Sequence, residues 1–493
     1  MYSLGIDVGS SSVKVIVFNY EAQEIAGSAF FPKKEMAMIA KKPGWAEQDP
    51  EWWWEAFKDA YQLAIESIKG ETHKIKYIGV AYQMHGLVCL DKNGHPVRPS
   101  IIWCDSRAVE IGQQAIDDLG SDYALNHLLN SPGNFTASKL AWVKGNEPDK
   151  YERVHKVCLP GDYIAYKLTG ELTTTLSGIS EGIFYDFKEK GVSQRLLRYF
   201  GFGEHLFPDI RESFDQHGTI NKLIADELGL SPDVQVTYKA GDQPNNAFSL
   251  NVLEKGEIAA TAGTSGVIYG VSDELFIDES QRVNSFAHVN YTKEDPRIGI
   301  LLCINGTGIA NSWAHQWTQA DSYESMNDQA QRVGPGSEGL FFFPFGNGAE
   351  RMLGNASLGC SIQGLNFNLH NPAHLYRAVQ EGIIYSFMYG MEAFSDNRID
   401  LKVIRAGQAN MFLSPLFCEL LSTLSGVDIE LFNTDGALGA ARGAMMGSGQ
   451  FSREEIFRGL TRQQTYHPNT VLRKEYTQLY AEWKDRLKNL LEA

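Results

Sequence analysis

Two acids stand where their surroundings invite chemistry. Asp7, in GIDVGSSS (5–12), ends an apolar strand pattern and leads into a Gly/Ser turn; Asp242, in KAGDQPNNAFSL (239–250), sits between a glycine and an amide-rich run. A carboxylate at a strand end beside such a turn holds Mg2+, usually through water. The turn itself, including Ser10 and Ser11, presents N–H donors to phosphate oxygens. The alternative is an Asp that caps a tight turn. Asp242 reads equally well as a turn residue, since Gly241 and Pro244 flank it. A second turn rich in hydroxyl and N–H groups, TAGTSG (261–266), contributes Gly263, Thr264 and Ser265. Two such turns at matching points of two similar halves have the pattern of phosphate clamps facing across a cleft. Phosphoryl transfer to an alcohol also needs a carboxylate that accepts the hydroxyl proton. Asp7 for the metal and Asp242 for the base divide that labour. No GxxxxGK[ST] occurs, and the glycine spacing of GIDVGSSS is not that of a dinucleotide fingerprint.

Other residues qualify more weakly. Asp105 in IIWCDSRA is a third acid, or half of a structural salt bridge with Arg107. Met84 and His85 follow a strand in YQMHG, where the imidazole binds a sugar hydroxyl or is simply a satisfied structural histidine. Trp45 in GWAEQDP offers an indole to wall a polyol site, or packs as most large aromatics do.

The elements that must position these residues follow from periodicity. YSLGIDVGSSSVKVIVFNYEAQEIAGSAF reads as strand, turn, strand, turn, strand, which predicts an antiparallel or mixed sheet rather than a βαβ unit. DPEWWWEAFKDAYQLAIESI (49–68) predicts a helix capped by Asp49 with Pro50 in its first turn, and IKYIGVAYQ (75–83) returns to strand. EIAATAGTSGVIYGVSD (257–273) repeats the opening plan, so two copies of one sheet design are expected, with a boundary near 245–256 and a cleft between them. HLYRAVQEGIIYSFMYGMEAF (374–394) and MFLSPLFCELLSTLSG (411–426) predict amphipathic helices, the second ended by Gly426. The stretch from Glu455 onward reads as a polar, helical tail without chemistry.

With 493 residues, two large domains are expected. A formal net charge of −16 without a long Lys/Arg run argues against nucleic acid or an anionic membrane as partner. It leaves a phosphorylated ligand open, because backbone N–H groups and a metal hold phosphate without bulk positive charge. Six cysteines without a CxxC pair read as buried small hydrophobes in a reducing compartment. The opening MYSLGIDVG shows no signal peptide, and no apolar run approaches the ~20 residues of a spanning helix, so a soluble cytoplasmic protein is expected.

The order of GWAEQDPEWWW, YQMHG, IIWCDSRA, FTASKLAWV, LPGDYIAYKLTGE, AGDQ, AGTSG, HLYRAVQEGI and DGALGAARGA resembles the FGGY carbohydrate kinases, most nearly those acting on xylulose. The resemblance implies an α/β fold of duplicated actin-like (ribonuclease H-like) domains, with mixed β-sheets and the active site in the interdomain cleft. It places a sugar-binding domain bearing the base at 1–248 and a nucleotide-binding domain at 249–493. It implies ATP, Mg2+ and a small-molecule sugar phosphorylated at a terminal hydroxyl. Asp242 matches the catalytic base, Met84 and His85 match sugar contacts that favour D-xylulose, and Asp7 and Gly263–Gly266 match the phosphate and metal region. Gly407, Gln408 and Asn410 fall beside the adenine in RAGQANMFLSP, which departs from the family's GGGA-type loop. PFGNGAERMLGN (344–355) departs from its PYLxGERxP stretch. Kinases for L-ribulose, L-xylulose or glycerol stay open beside this reading. So do an ATP-driven chaperone or filament protein of the same fold and a non-catalytic sugar sensor, and a homodimer is left open.

Overall fold

Apolar runs at the start of the chain pair as a meander of β1 (Tyr2–Val8), β2 (Val13–Asn19) and β3 (Glu24–Phe31), all antiparallel. The computed structural model describes residues 1–354, 356 and 358–492, with Glu350 by its backbone alone. Helix α1 (Pro50–Ala64) then carries the chain over the sheet, with the Asp49 side chain accepting the Glu51 N–H. This crossover lets β4 (Ile75–Tyr82) lie parallel to β1. β5 (Gly218–Thr219) and β6 (Gln235–Gly241) complete the order β3-β2-β1-β4-β6-β5, with β6 parallel to β4 and β5 antiparallel at the edge. The central strands are buried on both faces, which is why they read as continuous apolar runs rather than alternating ones.

The second sheet repeats this plan. Its strands are β7 (Glu257–Ala262), β8 (Gly266–Ser272), β9 (Asn284–Ala287), β10 (Ile298–Ile304), β11 (Val403–Gly407), β12 (Asp428–Phe432) and β13 (Arg462–Tyr466), in the order β9-β10-β8-β7-β11-β12-β13. Apart from the added β9, strand order and sense match the first sheet: β7, β8 and β10 form the antiparallel meander, while β11 and β12 run parallel to β7. β13 corrects the reading of the tail as wholly helical. RQQTY has an exposed face because it pairs only with β12 at the sheet edge, and the helical part of the tail is Arg473–Glu492.

Three helices bear on the site. α2 (Asp242–Ser249) follows β6, so the division expected at residue 248 falls within it. The long α3 (Pro372–Asp396) fills the core of the second half. α4 (Gly436–Gly447) follows β12 yet lies against the first sheet. It approaches so closely that a Cβ on Gly5 would stand 1.9 Å from the Ala437 carbonyl oxygen, a spacing only glycine permits. The halves are also stitched at β9: Ser177 Oγ–H donates to the Ala287 carbonyl (2.9 Å) and Ser180 Oγ accepts the Ala287 N–H (2.9 Å). Residues 411–426 differ slightly from expectation: Asn410–Leu413 is a 3-10 turn, and the helix runs from Pro415 to Ser425 before Gly426 at φ +78°.

Of the six cysteines only Cys89, Cys158 and Cys418 are buried. Cys104 and Cys360 are exposed, on a turn and on a two-stranded ribbon with an open face, so burial holds for half the set. Among the described residues no helix is long and apolar enough to cross a membrane.

The strand that ends at Asp242 is anchored from below. Lys239 Nζ donates to Asp162 Oδ1 (2.7 Å) and to the Thr173 carbonyl (2.6 Å), and both side chains of the pair are buried. Removing the cation alone strands a buried carboxylate. Lys239→Met should therefore lose about 3 kcal/mol in urea denaturation, with Lys239→Met/Asp162→Asn recovering part of it. A single variant as stable as the parent would refute the anchor.

Candidate active site

Asp7 is the penultimate residue of β1, and the matching position of β7 is Thr261, so the duplication carries the acid only once. The half-buried Asp7 carboxyl faces the start of α4: a Cβ on Gly436 would stand 2.3 Å from its Oδ2. Asp435 caps that helix by accepting the Leu438 N–H (2.9 Å) and pairs with Lys14 (2.7 Å). Asn245, on α2, donates to the Gly436 carbonyl (2.8 Å), tying the two helix starts together. Burial, then the Asp435 charge, push Asp7 up to about 6 against the opposing pull of Lys14. Asp242 is the first residue of α2; burial and the charge of Asp7 push it up to about 7, opposed by N–H groups at the helix start and the Gln243 side chain. Two helix N-termini thus converge on this point, each with partial positive charge.

This donor set fits a hard cation held by one carboxylate and completed by phosphate and water oxygens. Among the described residues no group of three His, Cys, Asp or Glu forms a self-sufficient metal cage. The adjoining turn is pinned: the Ser10 carbonyl accepts Gln48 Nε2–H (2.7 Å) and the Ser11 carbonyl accepts the Met36 N–H (2.7 Å). Gln48 also accepts Trp53 Nε1–H (3.0 Å) and lies 3.3 Å from Gln83 Nε2, joining the turn to the segment that carries Met84 and His85.

In the second half a cavity of about 1430 Å³ opens beside the other turn, and Gly263, Thr264 and Asn410 line it. The Gly263 and Thr264 carbonyls accept the N–H groups of Gly308 (2.7 Å) and Ile309 (3.2 Å), which seats the helix Gly308–Thr318 on the turn. Trp313, stacked on Trp317 at 5.4 Å, adds an aromatic face to the same cavity. Its signal was the Trp pair four residues apart in SWAHQW. Ser265, Gly407 and Gln408 do not line this cavity. Gln408 instead extends the strand ladder through its N–H to the Phe432 carbonyl (2.9 Å).

Met84 packs against the residue that precedes Asp242. A Cβ on Gly241, the residue before Asp242, would stand 2.6 Å from Met84 Cγ. His85 Nδ1–H donates to the Glu181 carbonyl (3.0 Å), which leaves Nε2 as an acceptor. Burial drives the imidazole down to about 3, aided by Lys139 and Arg351, so it is neutral. Phe135 and Phe286 flank the ring at 4.7 and 5.3 Å. A neutral acceptor between aromatic walls suits a sugar hydroxyl. Arg351, from the second half, reaches this wall: its guanidinium is 5.3 Å from the Phe135 ring, and its Nη2 lies 2.5 Å from where a Cβ on Gly133 would be. It belongs to the segment PFGNGAERMLGN, whose last residue, Asn355, lies outside the described residues.

Asp105 and Trp45 are placed otherwise than as sugar ligands. Asp105 is fully buried; its carboxylate accepts the Ala46 N–H (2.6 Å) and the Arg107 guanidinium (2.6 Å from Nη2), which leaves it no surface for a ligand. Arg107 also binds Glu47 (2.7 Å) and stacks on Trp45 (3.9 Å) and Trp142 (4.8 Å). The salt-bridge reading of Asp105 is the one the geometry supports, and Trp45 gives its ring to Arg107.

Comparison with known proteins gives the family. Residues 2–249 match the N-terminal domain, and residues 258–448 the C-terminal domain, of the FGGY family of carbohydrate kinases. Xylulose kinase of Haemophilus influenzae is 27% identical, covering 99% of both chains, and that of Klebsiella pneumoniae is 29% identical, covering 90% of this chain and 88% of its own. A solved xyloylose kinase from Brucella ovis is 25% identical with a TM-score of 0.90, covering 99% of both chains. Gluconate kinase from Lactobacillus acidophilus shares the fold at 24% identity and a TM-score of 0.88, covering 99% of this chain and 98% of its own. With two sheets of one design, an acid at the convergence of two helix starts and a cavity beside the second turn, the chain belongs to the FGGY family of carbohydrate kinases, ATP-dependent enzymes that phosphorylate sugars and polyols.

Proposed function

We propose that the protein transfers the γ-phosphoryl group of ATP to the C5 hydroxyl of D-xylulose, giving D-xylulose 5-phosphate, with Asp242 as general base. The observation that carries this reading is the placement of Asp242: a half-buried carboxyl at a helix start, raised to about 7, next to the glycine on which Met84 packs, with the neutral His85 acceptor following Met84 in the chain. A base titrating near neutrality is matched to accepting a hydroxyl proton. The names of the similar proteins, mostly xylulose kinases, support the choice of acceptor.

In this reading the first half, 1–248, binds the acceptor and holds the base, and the second, 249–493, binds the nucleotide. Asp7 would hold Mg2+, with the N–H groups around Ser10 and Ser11 and those of Gly263, Thr264 and Ser265 flanking the phosphates. Gly407, Gln408 and Asn410 would stand toward the adenine end. When bound, ATP with Mg2+ supplies the phosphoryl group and offsets its charge. The chain contributes the rest: His85 Nε2 accepts from a sugar hydroxyl, Asp242 orients the C5 hydroxyl and takes its proton, and the starts of α2 and α4 stabilise negative charge. Arg351 closes the acceptor side from the opposite half and keeps water from competing.

ADP release measured with D-xylulose, L-xylulose, D-ribulose, L-ribulose, glycerol and gluconate tests the acceptor: fast release should be confined to D-xylulose, and release confined to another sugar would overturn the substrate. Asp242→Asn should lower kcat about 1000-fold while nucleotide affinity, read by calorimetry, is kept. Turnover should fall as pH drops through about 7, where Asp242 takes up a proton, and saturating Mg2+ should move this limb lower by neutralising Asp7. Arg351→Ala should raise the acceptor KM about tenfold with the ATP KM unchanged.

A further inference from the structure

Glu181 is an acid that the reaction as described does not use. It ends the helix Leu176–Glu181 and is fully buried. Its Oε1 accepts the His85 N–H (3.2 Å), and its backbone carbonyl accepts His85 Nδ1–H (3.0 Å). His85 has φ +60°, a left-handed conformation that costs a non-glycine residue about 1–2 kcal/mol, and both of these hydrogen bonds hold it there. The second oxygen, Oε2, has no hydrogen-bond partner among the described residues. It lies 2.6 Å from where a Cβ on Gly241 would stand, the point that Met84 Cγ also approaches to 2.6 Å. One carboxyl therefore holds the His85 N–H and faces Gly241, the residue that precedes Asp242, on which Met84 also closes.

We propose that Glu181 is a positioning residue whose carboxyl locks the Met84–His85 segment against the Gly241–Asp242 junction so that acceptor and base share one frame. The inference rests on Asp242 being the base. Burial and the negative charges of Asp242 and Asp162 disfavour ionisation of Glu181, while the His85 N–H and the charge of Lys139 favour it. Tyr82 and Tyr269 are the other titratable groups it acts on. The balance lifts Glu181 well above the usual carboxylate range, in favour of its protonated form. Ionisation at alkaline pH would bring a second negative charge beside the base.

The test compares Glu181→Leu, Glu181→Gln and Asp242→Asn in acceptor-dependent ADP release from pH 6 to 10, with ATP affinity measured by calorimetry. Glu181→Leu should lose about 30-fold or more in kcat/KM for the acceptor with ATP affinity unchanged. Glu181→Gln, which mimics the neutral acid, should recover most of that loss and flatten the alkaline limb of the parent profile. A Glu181→Leu enzyme with parental kcat/KM would overturn the proposal. So would a Glu181→Gln enzyme that keeps the alkaline limb or is as impaired as the leucine variant. Should Glu181→Leu fail to fold, the Glu181→Gln profile decides alone. Turnover surviving in Asp242→Asn would instead overturn the base, independently of Glu181.

Discussion

The site is organised by a single electrostatic constraint: two carboxyl groups, Asp7 and Asp242, are drawn out of water near one another, and the charge of one raises the proton affinity of the other. Such a pair persists only if something else stabilises the negative charge. Here that is the convergence of α2 and α4, whose N-termini meet at Asp7 through Gly436 and the Asn245 hydrogen bond. Because α4 comes from the second half and rests on the first sheet, the charge balance is itself an interdomain contact. The glycines of GALGAARG are what permit the approach.

Much of the surrounding structure holds this point still. Lys239 and Asp162 fix β6 from beneath, Arg107 gathers Asp105 and Glu47, and Gln48 ties the Ser10 turn to the segment that carries Met84 and His85. Buried ion pairs and a left-handed histidine are poor investments in stability alone. The Lys239–Asp162 pair and the Gln48–Gln83 contact support the segments that lead to Asp242 and to Met84 and His85. The acceptor side is walled from both halves, by Phe135 from one and by Phe286 and Arg351 from the other. A sugar bound there would touch groups whose relative position depends on how the halves close.

The duplication explains why the two turns differ in chemistry. The sheets agree in strand order and sense, yet the position of Asp7 in the first is Thr261 in the second. The second turn therefore offers only N–H and hydroxyl donors, beside a cavity with the aromatic face of Trp313. One copy has kept the charge and the other the volume, which suits a metal-bound phosphate at one turn and the body of a nucleotide at the other.

Strands and their turns were legible in the sequence, because residues 2–18 and 257–272 each carry two largely apolar runs parted by a turn of glycine and hydroxyl residues. Asp49 and Pro50 marked the start of α1 for the same local reason, and the repeat of the plan announced two sheets. Asp7 was legible as an acid at a strand end, and Asp242 as an acid between a glycine and an amide-rich run. Local pattern did not separate them from Asp105, which also follows an apolar run. Only the fold did so, by closing Arg107 and the Ala46 N–H over one carboxylate and leaving the others at helix starts. β13 was missed because an edge strand with one solvated face has no need of an apolar run. Glu181 had no sequence signal and matters for a buried oxygen without a hydrogen-bond partner among the described residues, while Arg351 lay in the divergent PFGNGAERMLGN stretch and matters for reaching Gly133 in the other half. The sequence determined the elements, the duplication and the candidate acids through short-range periodicity. Tertiary structure decided which acids are desolvated, what faces them and which half supplies each wall, since those energies depend on contacts distant in the chain.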